Sequence, residues 1–243
     1  MTAFLVMALT GLLFGAPAAT AAELSEAELF FELNDTDEDL GIHASVDGGP
    51  YTRLEIDDTR DRTILVVTAQ GRLAKQGLTQ LFLESAEPNF EELSPEAFFA
   101  RFPEGVYEIE ARTQTGQELE AEVELSHVMA APADGVTVAG IPAAEDCDAE
   151  DLPVVSGDPV VIDWEPVTES HPEVGESGDV EIVRYQFFVE QGDVKVSVDL
   201  PPTVTEFLVP SEFIALGGRL KFEIIARTAT GNNTAIENCF VVE

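Results

Sequence analysis

Apolar and polar residues alternate with period two along most of the chain, the mark of half-buried strands. Residues 28–33 open the series, and residues 41–46, 53–56, 63–68 and 78–83 continue it. Residues 106–111 (VYEIEA) and 119–125 (LEAEVEL) alternate most regularly, which predicts antiparallel strands with one face on a core and one toward water. Turn-forming breaks separate these runs: Asp47-Gly48-Gly49-Pro50, Asp57-Asp58, Gln70-Gly71 and Thr115-Gly116, the last predicting a hairpin. One helix interrupts the pattern, with Ser94 as its cap and Pro95 at its first position. Strands at this spacing predict a β-sandwich or jelly-roll-like domain over residues 23–130 with a short helical insert. The phenylalanines on and after that helix, Phe98, Phe99 and Phe102, are expected to seal one end of its core.

Alternation is stronger over residues 132–243, where about seven strands fit an immunoglobulin-like sandwich. Val160-Val161-Ile162-Asp163-Trp164 resembles the second strand of a fibronectin type III domain, with its core tryptophan. Residues 182–187 resemble the third strand, and residues 220–226 followed by Gly231 the sixth strand and its turn. Leu220 stands where that family usually has the tyrosine of its corner motif, and the chain has no Arg-Gly-Asp. The resemblance implies a binding or spacing module and carries no integrin-type adhesion with it. The whole therefore reads as all-β, two tandem β-sandwich domains, the second fibronectin type III-like. Residues 129–135, short and containing Pro132, read as a restricted hinge between them.

Residues 1–22 lack charged side chains, carry an apolar run at residues 4–14 and end in small residues. This predicts a cleaved secretory signal peptide, leaving no membrane span, and places the protein outside the cell, in the periplasm or at the cell surface. In an oxidising compartment the two cysteines, Cys147 and Cys239, are expected to pair, closing a large loop worth ~3–5 kcal/mol.

The composition narrows the partners. The chain has 47 acidic and 12 basic residues, a net charge of −35. That excludes nucleic acid and anionic membranes, which need Lys/Arg stripes. The charge is spread: residues 23–130 hold 25 acidic and 7 basic residues, and residues 132–243 hold 22 and 5. An even acidic surface fits solubility in salty water better than a dedicated acidic recognition face.

Candidate chemistry is sparse. Asp35, Asp37 and Asp39 alternate in the way of loops that wrap calcium with hard oxygen ligands, although Gly41 is one place late for an EF-hand. A second acidic stretch, residues 145–151, is expected to be a surface loop pinned by Cys147. His43, His127 and His171 each stand alone, and the nucleophile-elbow, zinc-protease and phosphate-loop motifs are missing from the sequence. No catalytic residue is assigned, and calcium is the one cofactor suggested. Asn34-Asp35-Thr36 and Asn232-Asn233-Thr234 match the glycosylation sequon. The reading is a secreted or periplasmic non-enzymatic binding or structural protein whose partner is a protein or a glycan. The alternative is a calcium-dependent carbohydrate-binding or carbohydrate-active protein using the loop from Asp35 to Asp39.

Overall fold

A computed structural model describes residues 22–144, 146–149, 152–157 and 159–243. Residues 1–21 of the predicted signal segment, and Glu145, Glu150 and Asp151 of the second acidic stretch, lie outside the described residues. Among the described residues the protein is mostly β-strand, and no helix is long and apolar enough to cross a membrane. In the first half, β1 is Ala22–Glu23, β2 Glu26–Asn34, β3 Asp39–Asp57, β4 Thr63–Thr68, β5 Leu78–Glu84, β6 Gly105–Thr113 and β7 Glu118–Leu125. Helix α1 is Gly71–Gln76 and α2 is Pro95–Phe99. In the second half, β8 is Thr137–Val138, β9 Ile141–Pro142, β10 Val154–Val155, β11 Val160–Asp163, β12 Ile182–Gln191, β13 Val194–Leu200, β14 Glu206–Val209, β15 Gly218–Thr228 and β16 Asn233–Val242, with α3 at Ser211–Ile214.

The sequence predicts a turn at residues 47–50, but the strand runs on through it. The first part of β3 pairs with β2 and β5, and its second part pairs with β4 and β6. The register shifts between Asp47 and Tyr51, where Gly48 and Gly49 let the strand bend without leaving its ladder. Close packing also favours glycine here, since a Cβ at Gly48 would press on Leu24. The inward residues of both parts share one core: Ile42, Ala44 and Val46 meet Leu54, Ile56, Tyr107 and Ile109. Helix α2 closes its end. Ser94 Oγ accepts the Ala97 N–H at 3.4 Å, and Phe98 and Phe99 pack against Phe31. Tyr107 Oη donates to the Pro103 carbonyl, four residues upstream, at 3.0 Å.

A second core lies between the layers β14-β11-β8-β9 and β16-β15-β12-β13. Trp164 sits in it, 5.4 Å from Tyr185 and 6.1 Å from Phe187. Strand order repeats between the halves: β5-β3-β2 and β4-β3-β6-β7 correspond to β14-β11-β8 and β13-β12-β15-β16. Cys147 and Cys239 form a disulfide.

The join is a seam, where the sequence suggested a hinge. Strand β2 pairs in parallel with β16, placing Asn233 beside Glu32 and Ala235 beside Asn34. Among the described residues, one twelve-stranded sheet therefore runs through both halves. Met129 is buried in the first core and Ala130 in the second, and Thr234 Oγ1 donates to the Ala130 carbonyl at 2.9 Å. Proline content predicts stiffness of the join itself, but the fixed geometry comes from strands about 200 positions apart.

Candidate functional site

Fusion of the sheets creates an outer face that belongs to both halves. Strand β5 contributes Phe82, β3 His43, β2 Phe30 and Glu32, β15 Glu223 and Arg227, β12 Arg184 and Phe188, and β13 Lys195. A groove of about 520 Å³ runs over this face. The Arg227 guanidinium lies 4.7 Å from the centre of Phe30 and pairs with Glu28 at 2.8 Å, and Lys195 Nζ lies 4.9 Å from the centre of Phe188. Phe82 is 59% exposed, a large apolar ring left to water at the groove's edge. Aromatic faces, carboxylates and three of the chain's few bases thus meet in one concave place. The chemistry available to such a surface is stacking and charge-assisted hydrogen bonding. The hydroxyl lining the groove, Ser45, donates to Glu26 Oε1 at 2.8 Å and not to an imidazole, so it is not arranged as an activated nucleophile.

One end of this face is crowded with acid. His43 is buried, and its Nε2 meets Glu87 Oε1 at 2.8 Å. Glu32 accepts from Asn233 Nδ2 at 2.7 Å, and Lys221 pairs with Glu237. Burial, with the charges of Glu87, Asp37, Glu237 and Glu32, pushes the Asp39 carboxyl up to about 6. Burial, with Glu32 and Glu237, pushes Glu223 up to about 7. These groups hold protons in the folded chain that they release when unfolded. Stability is therefore expected to fall as pH rises from the ordinary carboxyl range through about 7. For Glu223, which is largely buried, the cost at about pH 8 is on the order of 3 kcal/mol. Urea unfolding in a chelator at about pH 5 and pH 8 checks this, and Glu223→Gln is expected to remove most of the pH slope. An unchanged slope in that variant would assign the effect to the general acidity of the chain.

The three aspartates singled out in the sequence are split between tasks. Asp35 Oδ1 accepts from His171 Nε2 at 2.8 Å, and the Asp35 N–H donates to the Ala235 carbonyl at 2.9 Å. Asp37 accepts from Asn34 Nδ2 at 3.1 Å within the turn. Asp39 lies close enough to Glu32, Glu87 and Glu237 for their charges to act on its carboxyl. Among the described residues, two groups bring three ligand atoms within 4.8 Å of one another, Glu32–His43–Glu87 and Glu104–His127–Glu176, and neither contains this triad. In the second acidic stretch, Asp148 lies 3.7 Å from Arg219. Asn232 is completely buried with Nδ2 donating to two carbonyls, so its sequon is closed to glycosylation in the folded chain.

The sequence did not single out the groove. A signal for it exists in the doublet Phe30-Phe31, which places large apolar rings on both faces of one strand and so marks a strand covered on both sides.

No protein-family model matches the chain, and no curated protein matches it. Among solved structures it is similar to a tetra-tandem repeat from the extending region of a large adhesion protein, at 13% identity and a TM-score of 0.29, over 90% of this chain and 50% of that one. It is also similar to a structure of a 1.5-MDa bacterial ice-binding adhesin (9% identity, TM-score 0.28, 92% of this chain and 66% of that one). A third is a Ca2+-stabilized adhesin from an Antarctic bacterium that binds ice (11% identity, TM-score 0.28, 92% of this chain and 49% of that one). The chain thus spans between about half and two thirds of the length of these structures.

Proposed function

We propose that the protein is an exported, non-catalytic β-module that presents a rigid binding face, with a protein or glycan as its partner. The observation that carries this reading is the parallel pairing of β2 with β16, which makes the groove a property of both halves together. A face built this way keeps its shape under strain on either half. Binding then needs no closure and little loss of side-chain freedom. The residues facing the groove suit a partner with polar groups on a ring or extended backbone. Sugars and short peptides both present these to aromatic and charged side chains. The two halves are read as tandem immunoglobulin-like sandwiches, the second fibronectin type III-like. Supporting this are the repeated strand order and the packing of Trp164 against Tyr185 and Phe187.

The test is a screen of the disulfide-bonded chain on glycan and peptide arrays, repeated with Phe188→Ala and Arg184→Glu. Any specific ligand is expected to lose about tenfold or more in affinity in each variant, as at other binding hot spots. Ligand binding that ignores both substitutions would move the site elsewhere. Turnover of a glycan or peptide by the wild-type chain would overturn the non-catalytic reading.

A further inference from the structure

Glu32, His43 and Glu87 are brought together from three separate pieces of chain. Glu32 is on β2, His43 on the neighbouring β3, and Glu87 on the segment after β5. One ligand atom from each lies within 4.8 Å of the other two, and His43 Nε2 is 2.8 Å from Glu87 Oε1. A zinc ion with bonds near 2.0–2.2 Å spaces its ligand atoms by roughly 3–3.5 Å, inside that spread. The backbone is cut to fit. Gly41 lies beside Glu32 in the ladder, and a Cβ there would overlap the Glu87 carboxyl. The glycine thus lets Glu87 fold down over the sheet toward His43. Burial fixes the imidazole, which is 3% exposed and lies 5.4 Å from Phe30 and 5.9 Å from Phe82 between ring centres.

Charge points the same way. The neighbours Asp39 and Glu223 add further carboxylates, and the bases nearby are already engaged: Lys221 with Glu237, Arg227 with Glu28, and Lys195 over the Phe188 ring. We infer that Glu32, His43 and Glu87 form a binding site for a divalent transition ion of the zinc type, lying at the acidic end of the groove. The imidazole decides the class, because calcium takes oxygen ligands whereas zinc takes nitrogen and oxygen together. Three protein ligands leave one position for water or for a donor from a partner, and Glu32 and His43 line the groove from which it would come. The second cluster, Glu104–His127–Glu176, is a weaker place: His127 Nε2 is held by the Phe102 carbonyl at 2.8 Å, and Glu104 already accepts the His127 N–H. This inference does not depend on the proposed function.

The experiment is calorimetric titration of the chelator-stripped, disulfide-bonded chain with Zn2+, with Ca2+ as the contrasting ion. One Zn2+ per chain is expected, with affinity unchanged in Glu176→Gln and reduced by clearly more than about 100-fold in Glu87→Gln, beyond the roughly 10–100-fold typical of losing an outer partner. The Glu87 side chain is 28% exposed, so that variant is expected to keep the fold. Co2+ bound in place of Zn2+ should give the intense visible bands of a four-coordinate shell, and these should be lost in His43→Gln. Absence of Zn2+ heat, wild-type affinity in Glu87→Gln, loss of affinity in Glu176→Gln, or displacement of Zn2+ by equimolar Ca2+ would each overturn the assignment.

Discussion

Replacing Asn232 by alanine is expected to cost about 3–5 kcal/mol and to weaken the unfolding of the two halves as one unit. Asn232 follows Gly231, which turns the β15–β16 hairpin at a φ of 95°, a conformation that suits glycine. Its side chain then enters the seam. Oδ1 accepts the Phe31 N–H at 2.9 Å, one residue before the β2–β16 ladder begins at Glu32. Nδ2 donates to the carbonyls of Ser126 at 2.7 Å and Val128 at 3.0 Å. One amide therefore extends the ladder and ties down the segment leaving β7. Alanine would leave a buried N–H and two carbonyls without partners, each worth about 1–3 kcal/mol. Aspartate would be worse, since it cannot donate to the carbonyls and brings a buried charge. Denaturant unfolding gives the loss, and the ratio of calorimetric to van't Hoff enthalpy tests the coupling. A loss under about 1 kcal/mol would show that water or a shifted chain satisfies the three groups.

The difference between what the sequence declares and what it hides follows the range of the interactions. Residues 106–111 and 119–125 alternate because one face is wet, and they form the β6–β7 hairpin across Gly116, whose φ is 84°. The cap at Ser94 and the burial of Phe98 and Phe99 are local as well, and each follows from a few neighbouring residues. Trp164 announces a core because few other places accept so large an apolar ring. The seam gives no such sign. Asn232, Asn233 and Thr234 are polar and read as a sequon, yet all three are buried, because their partners come from β2 and the β7 exit more than 100 positions away. The Gly48-Gly49 pair reads as a stop because most such pairs end strands. Here β3 has partners on both sides of the bend, and the ladder outweighs the glycines' freedom. His43 stood alone in its segment. Its place beside Glu87 depends on β5 pairing with β3, which period-two patterning cannot specify.

Reducing the Cys147–Cys239 disulfide, or replacing both residues by alanine, is expected to cost about 4–5 kcal/mol. The bridge spans 92 positions, so its closure removes much freedom from the unfolded chain. Its place in the fold adds a second effect. Strand β16 is covered along one edge by two different partners: β2 at its start and, at its end, β10 together with the Ala144 bridge to Cys239. The Cys239 N–H donates to the Ala144 carbonyl at 2.8 Å, and the Val241 N–H to the Pro153 carbonyl at 2.8 Å. The disulfide fastens the segment carrying Ala144 and β10 to that edge. Without it, the short β10 is held by its two-residue ladder at Val154 and Val155 and by the burial of Val155 in the second core. The exposed end of β16 then becomes a free edge able to pair with another chain. Two readouts separate the effects. Denaturant midpoints with and without reductant give the entropic loss, and hydrogen exchange at Cys239 and Val241 reports release of the edge in the native state. Unchanged exchange with a lower midpoint would confine the bridge's role to the unfolded chain. Unchanged midpoint and exchange together would refute the expectation altogether. The −35 charge opposes association of any freed edges, so dimers of the reduced chain are expected to grow with added salt.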